Sequence, residues 1–156
     1  MRPGVSALDS RVMEPQNSAA QPAFRSKSLA GLLALLAGTL GAHRMYLGAR
    51  WWWIYPTIAM PALGLALASD DWIRHPAFFV ALLVFVGTTL EAILISLSRD
   101  EHWDARWNAG LEQRSDSRWG PVLVAIAALM LGATALMSFL AIALETYFAA
   151  LQAGGR

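Results

Sequence analysis

Half of this chain carries almost no charge, and that distribution limits what it can fold into. Four apolar stretches hold 78 of the 156 residues but only one of the 23 charged side chains, Glu91. The stretches are 29–42, 51–68, 77–97 and 120–144. A helix of a soluble domain keeps a polar face for water, whereas these stretches have none. Long uncharged apolar runs are typical of membrane spans, so the sequence predicts an all-α integral membrane protein and excludes a soluble globular enzyme.

The lengths of these stretches predict four transmembrane helices. We place the spans at about 29–47, 51–68, 77–97 and 119–151. The first stretch is only about 21 Å long as a helix, so it must recruit residues up to Leu47 to cross a core of about 30 Å. Pro56 and Pro61 are expected to kink the second span, because proline lacks an N–H and clashes with the preceding turn. In this arrangement both termini lie on the same side of the membrane.

The chain divides into a tail, a membrane domain and an added helix. Residues 1–28 form a polar tail that is predicted to be disordered. Residues 29–108 form the membrane domain, and 119–151 add a C-terminal transmembrane helix. Between them, in 98–118, two tryptophans and Leu111 follow one stripe of a short helix. Such a helix is expected to lie along the membrane surface, with an ordinary exposed loop helix as the alternative.

Residues 38–48 join the first two stretches and read GTLGAHRMYLG. Gly41 and Gly48 permit backbone geometries that reverse the chain tightly. The stem of Arg44 can stay among apolar groups while its guanidinium reaches lipid phosphate, and Tyr46 suits the interface. The composition predicts a tight glycine-rich hairpin turn between the first two spans.

This stretch resembles the signature of the TM-two (two-transmembrane-helix) domain family in its bacterial form. The family pattern is approximately G-x-x-G-x-[HD]-R-F-Y-L-G after a lysine-flanked apolar helix, and Lys27 fits that flank. The matching positions are Gly38, Gly41, His43, Arg44, Tyr46, Leu47 and Gly48. Met45 replaces the usual phenylalanine. The resemblance implies a pair of transmembrane helices, and it implies an architecture rather than a defined activity.

Two downstream stretches extend the resemblance to roughly residues 27–108. The sequence LEAILI around Glu91 is similar to a family context in which an intramembrane Asp stands in L-I-D-L-I-L. Residues 100–108 read DEHWDARWN and resemble the family stretch D-E-x-F-D-A-R-Y-N. The candidate interfacial residues on this basis are Trp103, Asp104, Arg106, Trp107 and Asn108. An extra span separates the core motif from Glu91, and the fourth segment has no counterpart in the minimal domain.

Glu91 is the one charged residue in the four apolar stretches. It lies six residues before Leu97, so about 9 Å of helix separates it from the end of its span. A carboxylate at that depth is costly, and His43 and Arg44 are its candidate partners. The pair either fixes helix register or relays a proton or ion. The other polar residues of the spans are a few Thr and Ser, too few for a permeation route, which favours the structural role.

Composition and spacing exclude several other classes. The chain has no cysteine, and its three histidines lie far apart, so no local metal-ligand pattern exists. A net charge of +1 gives no basic field for nucleic acid. Catalytic motifs are absent from the sequence, so we expect no enzyme activity, no cofactor and no metal.

We predict a multi-pass protein of the cell membrane (the bacterial inner membrane) that acts as a non-enzymatic interaction or scaffold module. The alternative is a small proton- or ion-coupled permeation protein that uses Glu91. Its partners would be the lipid bilayer and, through small-xxx-small helix faces such as Ala30, Ala34 and Gly38, further copies or other membrane proteins. Basic residues near the four spans number five on one side and six on the other, which leaves both orientations open. Arginine density in the short connections favours a cytoplasmic His43 turn.

Overall fold

A computed structural model describes residues 23–155, and every regular element in that range is helical. The elements are α1 (Lys27–Ala37), a 3₁₀ turn (Gly38–Leu40), α2 (Ala42–Tyr46), α3 (Ile54–Leu67), α4 (Pro76–Leu97), α5 (Asp100–Trp107) and α6 (Trp119–Gly154). The prediction of an all-α fold is confirmed for this range. Residues 1–22 of the predicted disordered tail lie outside the described residues. The helical chain begins at Lys27, two residues before the predicted boundary.

Two helices, α4 and α6, are long and apolar enough to cross a membrane. They run antiparallel and pack over their whole shared length. Phe79 and Phe139 meet edge to face with ring centroids 5.5 Å apart, and near one end Arg74 donates to Glu145 at 2.6 Å. Close approach at the middle depends on Gly132, where an added Cβ would lie 2.6 Å from the Thr89 hydroxyl. The small residue therefore lets the two backbones pack closely, as expected for helices in lipid.

Helix α1 lies against the C-terminal half of α4 and ends beside its middle. Lys27, at the start of α1, donates to the Ser98 carbonyl at 2.8 Å, just beyond the end of α4. Farther along, Gly38 packs directly on Thr88, twelve residues into the 22-residue α4. Helix α1 is therefore antiparallel to α4 and covers only about half of its length.

After α1 the chain reverses twice within a few residues. At Gly41 the backbone has a φ of 71°, a conformation that favours glycine, and α2 returns towards the start of α1. There the Tyr46 hydroxyl accepts a bond from the Ser26 N–H at 2.8 Å, and the Arg25 guanidinium donates to the Leu47 carbonyl at 2.5 Å. Gly48, with a φ of 72°, begins the second reversal. The segment 38–48 is thus a re-entrant turn: it points into the middle of the helical layer and comes back.

Helix α3 then continues towards the other end of α4. Its lead-in residue Trp52 presents a carbonyl to Gly41, so α3 starts where α1 stopped. The helix continues through Pro61, whereas Pro56 lies in its first turn, where a missing N–H costs no helical bond. The loop 68–75 then connects α3 to α4. Helices α1 and α3 together cover the length of α4, with the re-entrant turn between them.

This path corrects the predicted first span. Residues 29–47 are not one crossing helix, because α1 begins and α2 ends at the same end of α4. The prediction assumed that each apolar stretch forms a complete span. In the structure, two short helices, α1 and α3, lie one after the other along α4. A second correction concerns α5, which ends at Trp107, so Leu111 is not part of its apolar stripe. Helix α6 extends beyond the predicted end of 151, to Gly154.

Candidate functional site

The re-entrant turn and the first turn of α3 bring three donors to the carboxylate of Glu91. The ring nitrogen Nε2 of His43 lies 2.5 Å from Oε2, and the hydroxyl of Tyr55 donates to Oε1 at 2.5 Å. The guanidinium of Arg44 pairs with Oε1 through Nη2, and its Nε lies 3.4 Å from Oε2. Both carboxylate oxygens are therefore engaged, and the negative charge faces one full positive charge.

Each donor comes from a different part of the fold than Glu91 itself. His43 and Arg44 are neighbours on α2, Tyr55 lies in the first turn of α3, and Glu91 lies on α4. His43 is only 1% exposed, and its ring meets Tyr55 edge to face at 5.6 Å. The Arg44 guanidinium lies over the Tyr55 ring, 5.1 Å from its centroid. The carboxylate thus joins three helices at one point, which we call the Glu91 cluster (His43, Arg44, Tyr55 and Glu91).

The sequence pointed to His43 and Arg44 as alternative partners of Glu91, and the structure brings both to the same carboxylate. Tyr55 was not anticipated. Its position is nevertheless visible in the sequence, because it carries the one phenolic hydroxyl in the uncharged stretch 51–68. A carboxylate shielded from water needs several hydrogen-bond donors. The Tyr55 hydroxyl could therefore have been predicted as a further partner of Glu91.

One nitrogen of the cluster has no protein partner within residues 23–155. With Nε2 of His43 directed at Glu91, the other ring nitrogen, Nδ1, is buried and makes no hydrogen bond to a described residue. When Nε2 carries the proton, a neutral imidazole presents Nδ1 as an acceptor. The cluster therefore has one place that can accept a further proton.

The candidate interfacial residues form a second polar cluster, around α5. The Trp103 indole donates to the Arg25 carbonyl at 2.8 Å, and the Arg25 N–H donates to the Asn108 side chain at 2.9 Å. Trp103 is 4% exposed and packs on Ala30 and Leu47. Helix α5 therefore directs this tryptophan at the N-terminal segment and α2, and not at a free membrane surface. Two other candidate interfacial residues on α5, Arg106 and Trp107, lie at the edge of this second cluster.

Asp104 is the buried acid of this second cluster. It accepts bonds from the Ser115 N–H at 2.7 Å, the Ser115 hydroxyl at 2.6 Å and the Asn108 amide at 2.8 Å. Burial raises the pKa of Asp104, but these hydrogen bonds lower it by more, so its pKa lies below the ordinary value. The carboxylate form thus holds the loop after α5 against the helix.

Replacing Asp104 with asparagine is expected to lower the free energy of unfolding by about 1.5 kcal/mol, because an amide cannot accept all three bonds. The carboxylate contributes this stability above its unfolded pKa of about 3.9, and loses it as the pH falls through the lower folded pKa. The gap between wild type and variant should therefore close below about pH 4 in equilibrium unfolding. Asp116→Asn is the control, since Asp116 is exposed and, among the described residues, pairs with Arg118 alone. A gap that does not depend on pH would contradict this role.

Comparison with known proteins identifies the first part of this fold. The family model described as the TM2 domain matches residues 23–66. That range contains α1, the re-entrant turn and nearly all of α3, so the resemblance predicted from residues 38–48 is confirmed there. Glu91 and residues 100–108 lie beyond the match. No curated protein and no solved structure gives a significant match to the chain.

Proposed function

We propose that this chain is an integral membrane protein whose role is structural: a non-enzymatic interaction or scaffold module built around the Glu91 cluster. The observation that carries the proposal is the carboxylate itself. Glu91 receives donors from His43 and Arg44, which lie within the re-entrant turn, and from Tyr55 in the first turn of α3. A carboxylate in an apolar layer is costly, and the hydrogen bonds from three donors offset that cost. Because the same bonds join α2 and α3 to α4, they also hold the turn in place.

The saturation of Glu91 favours a structural role over transport or catalysis. An ion site needs free oxygen ligands, and a general acid or base needs a reacting group within reach. Both oxygens of Glu91 already accept bonds from fixed side chains. The cluster therefore resembles a staple between helices more closely than a site that exchanges a ligand.

We further propose that the chain crosses the membrane three times. Helices α1 and α3, interrupted by the re-entrant turn, would form the first crossing, and α4 and α6 the second and third. The ends of the described chain then lie on opposite sides. Discontinuous helices occur in membrane proteins where the irregular backbone is buried in protein, as it is around Gly41.

The distribution of basic residues supports three crossings. Residues 23–155 contain nine Lys and Arg side chains, and eight of them belong to segments at the end of the bundle that holds Lys27 and α5. Only Arg74 lies at the opposite end. The positive-inside rule then assigns the α5 end to the cytoplasm, whereas four spans would divide the same nine side chains three to six, a weaker asymmetry.

The outer faces of the helices suit a lipid environment and further membrane partners. Large apolar side chains are exposed along the length of α6, from Trp119 to Leu151. Exposed apolar surface on that scale belongs against lipid or another apolar face. The bilayer is therefore the first partner we propose, with further copies of the chain or other membrane proteins as the second. Localisation to the cell membrane, and to a bacterial inner membrane, remains a prediction.

A specific observation supports proton-coupled permeation as a second candidate. The buried Nδ1 of His43 makes no hydrogen bond to a described residue and lies one ring away from Glu91. A relay would pass a proton from Nδ1 through the imidazole to the carboxylate. This route uses the same residues as the staple, so the geometry alone does not distinguish the scaffold function from permeation. A flux measurement does.

Purified full-length protein in liposomes tests the proposal. We expect proton and potassium flux no faster than in protein-free liposomes, for the wild type and for Glu91→Gln alike. If the wild type conducts, Glu91→Gln abolishes the flux and Glu101→Gln retains it, the scaffold function is contradicted and permeation is supported. Glu101 is a suitable control because it is exposed and its one ion pair within residues 23–155 is with Arg99.

A further inference from the structure

A cavity of about 430 Å³ lies between α2, the C-terminal half of α4 and α5. Arg44 and Glu91 line its inner end, Leu94 and Trp103 form part of its walls, and Arg106 lies on its α5 side. The cavity thus connects a polar inner end to a basic rim through apolar walls. This combination suits an amphiphile better than a small polar solute.

The rim carries positive charge that no described carboxylate neutralises. Glu91 is the one acid among the described lining residues, and Arg44 already pairs with it. The guanidinium of Arg106 lies 5.3 Å from the Trp107 ring centroid and forms no ion pair within residues 23–155. Arg25 approaches the same indole at 5.4 Å. The Arg106 guanidinium and the His102 imidazole therefore line the rim without a paired anion among the described residues, and Arg25 adds a second positive charge next to the same indole.

The cavity has the depth of a lipid headgroup. Its inner residue Glu91 lies about 9 Å of helix from the end of α4, and its rim residue Arg106 lies on α5, beyond that end. A strip of exposed leucines continues from the cavity along the outer face of α4: Leu90, Leu94 and Leu97, each 56–65% exposed. A phosphate at the rim would therefore place an acyl chain beside an apolar strip.

We propose that this cavity binds the headgroup of an anionic phospholipid. Arg106 and His102 donate to its phosphate, the Trp107 indole holds the guanidinium in position, and one acyl chain lies along Leu94. Arginine binds phosphate through two parallel N–H bonds, and basic pockets on the cytoplasmic side of membrane proteins recognise anionic headgroups. The inference rests on the proposed membrane placement, with the α5 end in the cytoplasm.

Lipid titration of the full-length protein in detergent micelles tests this site. Phosphatidylglycerol and phosphatidylcholine with identical chains are the probes, and native mass spectrometry reports occupancy. We expect phosphatidylglycerol to bind about five- to tenfold more tightly than phosphatidylcholine, and Arg106→Gln to remove most of that preference. Arg106→Lys, which keeps the charge, should retain at least half of the preference on a logarithmic scale.

The matched control is Arg118→Gln, which removes the same charge from an exposed side chain outside the cavity. It should change the affinity less than twofold, and thermal unfolding without lipid should be equal in all variants. Equal binding of both lipids, or equal losses in Arg106→Gln and Arg118→Gln, would overturn the proposal. Displacement of the lipid by millimolar inorganic phosphate would assign the site to free phosphate instead. Each of these failures would leave the liposome flux result unchanged, so the two proposals fail separately.

Discussion

Replacing Glu91 with glutamine is expected to lower the free energy of unfolding by about 2–3 kcal/mol. The substitution removes the negative charge but keeps the shape, so Arg44 and His43 lose the carboxylate that they share. Breaking a fully buried ion pair costs about 3–5 kcal/mol. We expect less here because the side chains of Glu91 and Arg44 are 25% and 38% exposed. Equilibrium unfolding in mixed micelles measures the difference, and intrinsic tryptophan fluorescence follows it.

Glu101→Gln is the matched control for this experiment. The same chemical change is made at an exposed carboxylate on α5 that pairs with exposed Arg99, so the expected effect is below about 0.5 kcal/mol. Adding Arg44→Gln to Glu91→Gln should restore part of the loss, because it removes the unpaired charge. Equal effects at Glu91 and Glu101 would contradict the staple.

Replacing Gly41 with alanine is expected to cost about 3 kcal/mol, among the largest effects of any single methyl group in this chain. The φ of 71° at Gly41 is strained for a residue with a Cβ. The new Cβ would also meet the carbonyl of Trp52, which is backbone and cannot rotate away. Relieving that contact separates the turn from the start of α3, so Tyr55 should also lose its position beside Glu91. Equilibrium unfolding in mixed micelles measures the loss.

Gly64→Ala provides the comparison. Gly64 lies inside α3, and no heavy atom outside its immediate surroundings lies within 4 Å of the added Cβ. Alanine has the higher helix propensity, so this variant should be neutral or more stable by up to about 1 kcal/mol. Equal stability of Gly41→Ala and Gly64→Ala would contradict the tight backbone geometry that we assign to the re-entrant turn at Gly41.

Sequence reasoning located the long helices well because they depend on a property that hydropathy measures directly. The predicted spans 77–97 and 119–151 lie within α4 and α6, whose ends differ from them by at most a few residues. An apolar run of more than twenty residues with at most one charge has few alternatives to a helix that is surrounded by apolar groups. Glu91 could be paired with His43 and Arg44 in advance for a related reason. Few charged groups lie near such a layer, so a buried carboxylate has few candidate partners.

The re-entrant turn could not be predicted in the same way. Hydropathy continues through Gly38 and Gly41 without a break, and the requirement to cross a bilayer led to one helix over 29–47. In the proposed arrangement α1 and α3 share one crossing, and that arrangement depends on packing against α4. The matching glycines were visible in the sequence, but their φ values and the contact of Gly38 with Thr88 are properties of the folded chain. Trp103 was likewise predicted to lie at the membrane surface. Its burial against Ala30 and Leu47 could not be predicted, because it depends on the same turn.

Sided labelling of single cysteines tests the three-crossing arrangement most directly. The chain has no cysteine of its own, so each introduced thiol is labelled without background. Exposed positions near each connection are available at Ala23, Asp70, Glu112 and Gln152. In sealed vesicles of one known orientation, a membrane-impermeant maleimide should label Ala23→Cys and Glu112→Cys from one side. Asp70→Cys and Gln152→Cys should be labelled from the other side. Labelling of Ala23→Cys on the same side as Asp70→Cys, opposite Glu112→Cys, would mean that 29–47 crosses alone and would contradict the re-entrant turn.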